Sequence, residues 1–353
     1  MAEFACGGCG ATLTAPVSQV ALPVHAYQKW GNGEQLPVLM EAGTYAVNPD
    51  PTGPPWRPWS EIGPDEAEAR GVFAPVDGLS FGAPGAVVVA PGDMRGTVLI
   101  PERCVGYCCG LDWGDGPNLA CAQCGRAVAT RIDECSWWQA VWLEPQAVRC
   151  IAAESPDRRT ADWEALRQER QGTPPIGPLG EWCPRWEAAA GAALAHLLAA
   201  SQGTPVVLPD GLVTDIFGRV LDALLPPGPP TRTVALAGPG LPARVPGPDI
   251  ALVPRHPQTG KAWQPSGTAE IVPVDAEVWM HLAHDHEQLL VSVTGRLPDG
   301  VLRDDPLPLH PRRRFRPDST VFLHTLARLS AVHQPWLRGV YDQVRQHPYA
   351  RPF

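Results

Sequence analysis

The sequence predicts an α+β protein: a β-rich region over residues 1–150, a linker over 151–180 and a small α/β domain over 181–353. Three observations lead there. The 42 prolines and 35 glycines make up more than a fifth of the 353 residues, so turns and irregular loops must be frequent and long helices few. The first half carries short β-branched runs bounded by turn residues, whereas the second alternates such runs with segments of helical period. Nine of the ten cysteines fall within the first 150 residues, the tenth being Cys183.

In the first half, residues 35–47 and 86–101 read as strand material. The second stretch holds Ala86-Val87-Val88-Val89-Ala90 and Thr97-Val98-Leu99-Ile100, and Pro91-Gly92-Asp93 between them has the composition of a hairpin turn. Residues 48–64 combine Pro49, Pro51, Pro54, Pro55 and Pro58 with Trp56 and Trp59, as in a proline-stiffened loop held down by its tryptophans. A β-meander is expected here. In the linker, a short charged helix over 161–171 gives way to Gly172-Thr173-Pro174-Pro175-Ile176-Gly177-Pro178, where no regular element persists.

Beyond the linker the period changes. Residues 186–200 form an Ala/Leu helix. Residues 212–225 place Val213, Ile216, Phe217, Val220, Leu221 and Leu224 at helical spacing. Residues 204–208, 233–237, 250–253 and 269–274 are short apolar or β-branched runs with the character of buried strands. Helical patterns return over 276–284, 319–329 and 335–344. This alternation points to a small α/β domain with a partly parallel sheet.

The net charge of −9 argues against a general nucleic-acid coat, which needs a basic surface. Of 28 basic residues only Lys29 and Lys261 are lysines. Arginine, alanine, glycine and proline all have GC-rich codons, so the composition fits a high-GC bacterial genome. No stretch approaches the length of apolar sequence needed for a transmembrane helix, so no membrane partner is expected. Met1-Ala2-Glu3-Phe4-Ala5-Cys6 has neither a basic start nor an apolar core, so no signal peptide is expected. The cysteines are accordingly expected in the reducing cytoplasm, as metal ligands or buried thiols rather than disulfides.

Two segments nearly repeat one another: Phe4-Ala5-Cys6-Gly7-Gly8-Cys9-Gly10 and Leu119-Ala120-Cys121-Ala122-Gln123-Cys124-Gly125. In each, an apolar residue and alanine precede Cys-x-x-Cys-Gly. Two thiolates at this spacing can point at one ion, and the glycine lets the backbone turn tightly beneath it. Cys6, Cys9, Cys121 and Cys124 resemble the two halves of a zinc ribbon, as in zinc-ribbon-containing bacterial proteins. The resemblance is confined to the two knuckles and implies one structural zinc ion closed by four thiolates. More than a hundred residues separate the halves, against roughly twenty in a compact ribbon.

A local arrangement competes for the same ion. Arg103-Cys104-Val105-Gly106-Tyr107-Cys108-Cys109-Gly110 offers Cys104 with Cys108, or Cys109, to complete a site with Cys121 and Cys124. Two ions or a shared cluster is a third arrangement, and reduced buried thiols without metal a fourth. Thiol–disulfide exchange also uses Cys-x-x-Cys, but with a helix after the motif, and neither segment here is followed by a helical pattern. Cys135, Cys150 and Cys183 have no partner at ligand spacing and are expected as buried small side chains.

Elsewhere the chemistry is sparser. His281 and His284 share a helical face, and Asp285, His286 and Glu287 can complete a Zn or Fe site. The competing reading is a helix C-terminus, where polar and cationic residues collect. The one basic run, Arg312-Arg313-Arg314-Phe315-Arg316, can grip phosphates and stack a base, or form a solvated loop paired with Asp304, Asp305 and Asp318; the loop is the favoured reading. There is no Gly-x-Gly-x-x-Gly and no phosphate loop, and Gly238-Pro239-Gly240 is only an echo of one. Trp137, Trp138 and Trp142 are expected as core or interface anchors. The function expected from these residues is that of a zinc-binding cytoplasmic protein with a structural four-cysteine site. It would act by binding, with a protein as partner rather than a nucleic acid. The alternative is a metal-dependent hydrolase whose active site lies in the C-terminal α/β domain.

Overall fold

A computed structural model describes the chain except for residues 30–35, 105, 107, 109, 154–159, 170–172, 178–179, 230, 244, 285–312, 349 and 351. Its contacts divide between two units. The first comprises Met1–Glu66, Val76–Thr160 and Pro257–Gly260, and the second Ala67–Pro75, Ala161–His256 and Lys261–Phe353.

The first unit is β-rich. Its strands are β1 (Ala2–Cys6), β2 (Ser18–Gln19), β3 (Thr44–Val47), β4 (Trp56–Pro58), β5 (Gly78–Ser80), β6 (Val87–Val89), β7 (Thr97–Leu99), β8 (Leu119–Cys121), β9 (Ala127–Ile132), β10 (Ala140–Leu143) and β11 (Val148–Ala152). A seven-stranded sheet runs β2-β3-β6-β10-β9-β8-β7, and β7 to β10 within it are an antiparallel meander. β1 pairs antiparallel with β11 and, through Ala2–Val17 and Ala5–Thr12, with the segment that follows it. Thr14 in that segment bridges Met94, just before β7. One stretch of chain therefore joins β2 at one edge of the large sheet to the approach to β7 at the other.

The pleat explains why the whole of β6 is buried. Val87 and Val89 pack with Phe4, Cys6, Leu13, Leu119, Cys121 and Leu143 in one core. Val88, pointing the other way, joins Leu36, Met40, Ala46 and Trp138 in a second. Trp138 donates its indole N–H to Gln28 Oε1 at 3.0 Å and so anchors the core, as expected.

Three expectations for this half are corrected. The runs 86–90 and 97–100 are strands but not a hairpin, since β6 pairs with β3 and β10 and β7 with β8. Pro91–Asp93 forms a short 3-10 turn, after which Arg95 donates its backbone N–H to Leu13 O and draws the chain away from β6. Of residues 35–47 only β3 is a named strand; a turn at Gly43, with φ +76, immediately precedes it, and Pro37 has no N–H to give a ladder. The proline-rich segment contains β4, which pairs with β5, and Trp56 is exposed rather than tied down.

α1 (Pro64–Ala69) carries the chain from the first unit into the second. The second holds α2 (Trp163–Glu169), α3 (Pro184–Ser201), β12 (Val206–Val207), α4 (Leu212–Leu224), β13 (Arg232–Leu236), β14 (Ile250–Arg255), β15 (Glu270–Asp275), α5 (Ala276–His284), α6 (Ser319–Leu326) and α7 (Pro335–Gln346). Its four strands are all parallel, in the order β12-β13-β14-β15. β14 is buried from Ile250 to Pro254, the near-continuous apolar run of a strand covered on both faces. In α4 the six residues at helical spacing are the six that are buried. α3 is buried almost all round. At Gly191 of α3 a Cβ would lie 2.5 Å from Asp318 O, so glycine is what lets α6 come so close. Asp318 caps α6 by accepting the Val321 N–H at 2.8 Å. No helix among the described residues is long and apolar enough to cross a membrane.

Candidate metal centre

The two Cys-x-x-Cys-Gly segments fold identically. Each first cysteine ends a strand, Cys6 closing β1 and Cys121 closing β8. Cys6 N–H donates to Ala11 O at 2.8 Å and Gly10 N–H to Cys6 O at 2.9 Å. In the second knuckle Cys121 N–H donates to Arg126 O at 2.8 Å and Gly125 N–H to Cys121 O at 2.9 Å. The two glycines sit at φ +79 and +74, a left-handed conformation that a Cβ would strain. The repeated sequence is thus a repeated turn. Its effect is to bury the first cysteine of each pair in the core and leave the second at the surface.

The strands then bring the turns face to face. Cys6 Sγ lies 3.6 Å from Cys124 Sγ, and Cys9 Sγ lies 3.6 Å from Cys121 Sγ. The first cysteine of each knuckle therefore meets the second of the other, and all four sulfurs lie within 4.8 Å of one another. Four Zn–S bonds of about 2.3 Å in a tetrahedron put the sulfurs about 3.8 Å apart, so the cluster has the dimensions of a four-thiolate metal site. None of the four is in a disulfide.

The two thiols of the first knuckle are shifted in opposite directions. Burial raises the cost of a thiolate at Cys6, yet N–H groups of Cys9 and Gly8, with the thiols of Cys124 and Cys9, bring it down to about 7. Cys9 receives the Ala11 N–H, which favours its thiolate, but burial and the sulfurs of Cys121, Cys124 and Cys6 push it up to about 11. Backbone donors thus favour the thiolate at Cys6, while the neighbouring sulfurs oppose it at Cys9. Two arginines border the site. A Cβ on Gly8 would meet Arg126 Cδ at 3.5 Å, and one on Gly10 would meet Arg149 Nη2 at 2.7 Å; the Arg126 guanidinium donates to Gln146 O at 3.0 Å.

Cys104 and Cys108 are not brought to this cluster. Cys104 donates its thiol to Ile100 O at 3.1 Å, and Cys108 lies 3.6 Å from Cys135 Sγ; Cys109 lies outside the described residues. Cys135 is therefore not a lone buried thiol, and sequence spacing gave no sign of its partner. Cys150 is exposed, on β11, and Cys183 is half-buried, its thiol pushed up by burial.

The remaining candidates lie in the second unit. His281 is buried with its ring edge-on to Trp186, and His284 is exposed against Trp279. Among the described residues neither belongs to a cluster of three potential metal ligands; Asp285, His286 and Glu287 lie outside them. Of the arginine run, Arg313 pairs with Glu187 at 2.5 Å and Phe315 is buried edge-on to Trp182, so the aromatic ring belongs to the core. Arg312, Asp304 and Asp305 lie outside the described residues. A Cβ on Gly238 would fall 2.2 Å from Trp279, so this glycine serves a close approach of helix to loop.

One motif escaped the sequence reading: Gly78-Leu79-Ser80-Phe81-Gly82 matches Gly-x-Ser-x-Gly. The match does not make a nucleophile. Ser80 is buried in β5 and donates its hydroxyl to Gly53 O at 2.5 Å, and Gly82 packs where a Cβ would lie 2.0 Å from Thr52 O. No helix follows, as a nucleophile elbow requires. Comparison with protein-family models, with curated proteins and with solved structures finds no match for this chain.

Proposed function

We propose that the chain is a zinc protein in which Cys6, Cys9, Cys121 and Cys124 hold one structural ion, and that it acts by binding a protein partner rather than by turnover. The observation that carries this reading is the pair of knuckles with the same turn hydrogen bonds and their four sulfurs gathered within 4.8 Å. Four thiolates complete a tetrahedral shell and leave no position for water or substrate, so the ion supplies folding energy instead of Lewis-acid chemistry. Thiolates select zinc over magnesium or calcium. Coordination also needs reduced cysteines, which favours a reducing compartment, read here as the cytoplasm.

The binding part of the proposal is supported by exposed Trp56 and Trp113, which are 62% and 45% accessible; tryptophan is enriched at protein-binding hot spots. Burial of Phe315 weighs against a base-stacking site in the arginine run, so a protein partner is preferred to nucleic acid. His281 and His284, the residues on which the hydrolase alternative centres, pack on different tryptophans, Trp186 and Trp279. The test has two arms. Replacing Cys6 and Cys9 by serine must remove one equivalent of zinc per chain. The intact protein must show no hydrolase turnover, with or without added divalent metal. Turnover that disappears in His281→Ala and His284→Ala variants of unchanged fold and zinc content would refute the binding reading.

A further inference from the structure

The turn after β9 carries Glu134 and Cys135, and the loop before β8 brings Cys108 to it. From the convergence of Cys108 Sγ, Cys135 Sγ and a Glu134 carboxylate oxygen within 4.8 Å of one another, we propose a second metal site, for a thiophilic cation of the zinc class, with three protein ligands and an open fourth position. It is separate from the four-cysteine cluster and does not rest on that cluster holding metal.

The loop is built to hold this geometry. Leu111 and Asp133 exchange backbone hydrogen bonds of 3.0 and 2.9 Å, which ties the Cys108 loop to the turn. A Cβ on Gly110 would lie 1.9 Å from Asp133 O, so only glycine permits the approach. Asp133 is neutralised by Arg131 at 2.9 Å, but its neighbour is not. Glu134 is 4% exposed; its Oε1 accepts the Ser136 N–H at 3.0 Å, and its Oε2 faces the Cys135 thiol at 3.8 Å. Among the described residues no cationic side chain is paired with Glu134. A buried carboxylate beside two thiols lacks its compensating charge, and a divalent cation shared by the three supplies it.

The distances suit a metal. Cys108 Sγ and Cys135 Sγ are 3.6 Å apart, close to the roughly 3.8 Å edge of a zinc tetrahedron and far beyond the ~2.05 Å of a disulfide. Two thiolates and a carboxylate favour zinc over harder cations. Three protein ligands leave one position for solvent or a ligand, the arrangement of an open site rather than a closed one. Cys108 is exposed, so that position is reachable from outside.

The test uses the full chain, reduced and supplied with zinc, then freed of excess by gel filtration. Zinc content is measured by mass spectrometry in the wild type and in Cys108→Ser, Cys135→Ser and Glu134→Gln. The expected result is loss of one equivalent in each cysteine variant, with the far-ultraviolet spectrum unchanged. In cobalt-loaded wild-type protein, subtraction of the Cys135→Ser spectrum should leave a sulfur-to-cobalt band of about half the intensity of the four-thiolate site. Glu134→Gln should retain the band but release the metal faster to a chelator. Zinc content equal in wild type and Cys135→Ser overturns the proposal. So does a Cys108–Cys135 disulfide that forms as fast in zinc-loaded as in zinc-free protein. Because the Cys6/Cys9 double variant reports the other site, loss at one leaves the standing of the other visible.

Discussion

Cys6 Sγ lies 3.6 Å from Cys124 Sγ across 118 positions of sequence. The separation costs little. Loop-closure entropy grows by about 0.6 kcal/mol per doubling of length, so two cysteine pairs separated by a hundred residues are roughly 1.5 kcal/mol costlier to bring together than two separated by twenty. Structural zinc in finger peptides contributes about 10–16 kcal/mol. The intervening chain is not slack either, since it supplies β2, β3, β6, β7 and β8 of the seven-stranded sheet, whose β8 ends on the second knuckle.

The knuckle glycines should set metal affinity through backbone conformation alone. Gly125 has φ +74 and nothing near its missing Cβ, so Gly125→Ala should cost about 1–2 kcal/mol, or about 5- to 30-fold in zinc retention. Gly10→Ala should cost a similar amount, because the Arg149 end that it meets can swing aside. Gly8→Ala, whose Cβ makes ordinary contacts from 3.5 Å, should stay within about twofold. Competition with a chromophoric chelator gives all three values, and equal affinities throughout would count against the knuckle geometry.

Cys104 tests the local arrangement directly. Its thiol is spent on Ile100 O, so Cys104→Ser should leave the zinc at Cys121 and Cys124 in place, whereas Cys6→Ser with Cys9→Ser should release it. Metal analysis of the purified variants decides, and the opposite pattern would give the ion to the local site.

Gly238 should behave as a packing residue. A Cβ there would lie 2.2 Å from Trp279 and 3.0 Å from Pro254 Cδ, and Trp279 is fully buried with its indole N–H on Leu252 O at 2.9 Å. Overpacking of this kind costs about 1–3 kcal/mol. Gly238→Ala should therefore lower the urea midpoint of the second unit while leaving zinc content unchanged; an unshifted midpoint would show that the loop yields freely.

How much of this was legible in sequence differs between the halves. In α4 the apolar residues from Val213 to Leu224 named the buried face, because a 3.6-residue period needs only local spacing. β14 was legible for a similar reason, being apolar throughout. Partnership between strands was not. Ala86–Ala90 and Thr97–Ile100 look like a hairpin, yet β6 pairs with β3 and β10 and β7 with β8, and the chain between them bridges Thr14 at Met94, a contact across 80 positions. The four-cysteine cluster was legible since each knuckle carries its own turn signal. Cys135 was not, because its partner Cys108 arrives from a separate loop.

Two groups on α3 should give the second unit opposing pH slopes. His196 is pushed down to about 4 by burial, with the Arg255 charge adding to it. Its folded pKa is below the ordinary 6.5, so its contribution is present above about 6.5 and is lost as pH falls toward 4. Glu187 is pushed up to about 7 by burial, against the pull of Arg313; its contribution is present at low pH and is lost as pH rises through 7. Urea midpoints between pH 5 and 7.5 should rise less steeply with pH in His196→Gln than in wild type, and more steeply in Glu187→Gln. Identical slopes in all three proteins would contradict these assignments.

The shared ion is tested most directly by cysteine alkylation during metal removal. The native protein is titrated with a chelator, and at each step alkylation of every cysteine is read by peptide mass spectrometry alongside released zinc. If one ion joins the two knuckles, Cys6, Cys9, Cys121 and Cys124 become reactive together, over the same chelator range in which one equivalent of zinc departs. Exposure of Cys121 and Cys124 at a chelator concentration that leaves Cys6 and Cys9 unchanged in reactivity would show that the knuckles do not share an ion.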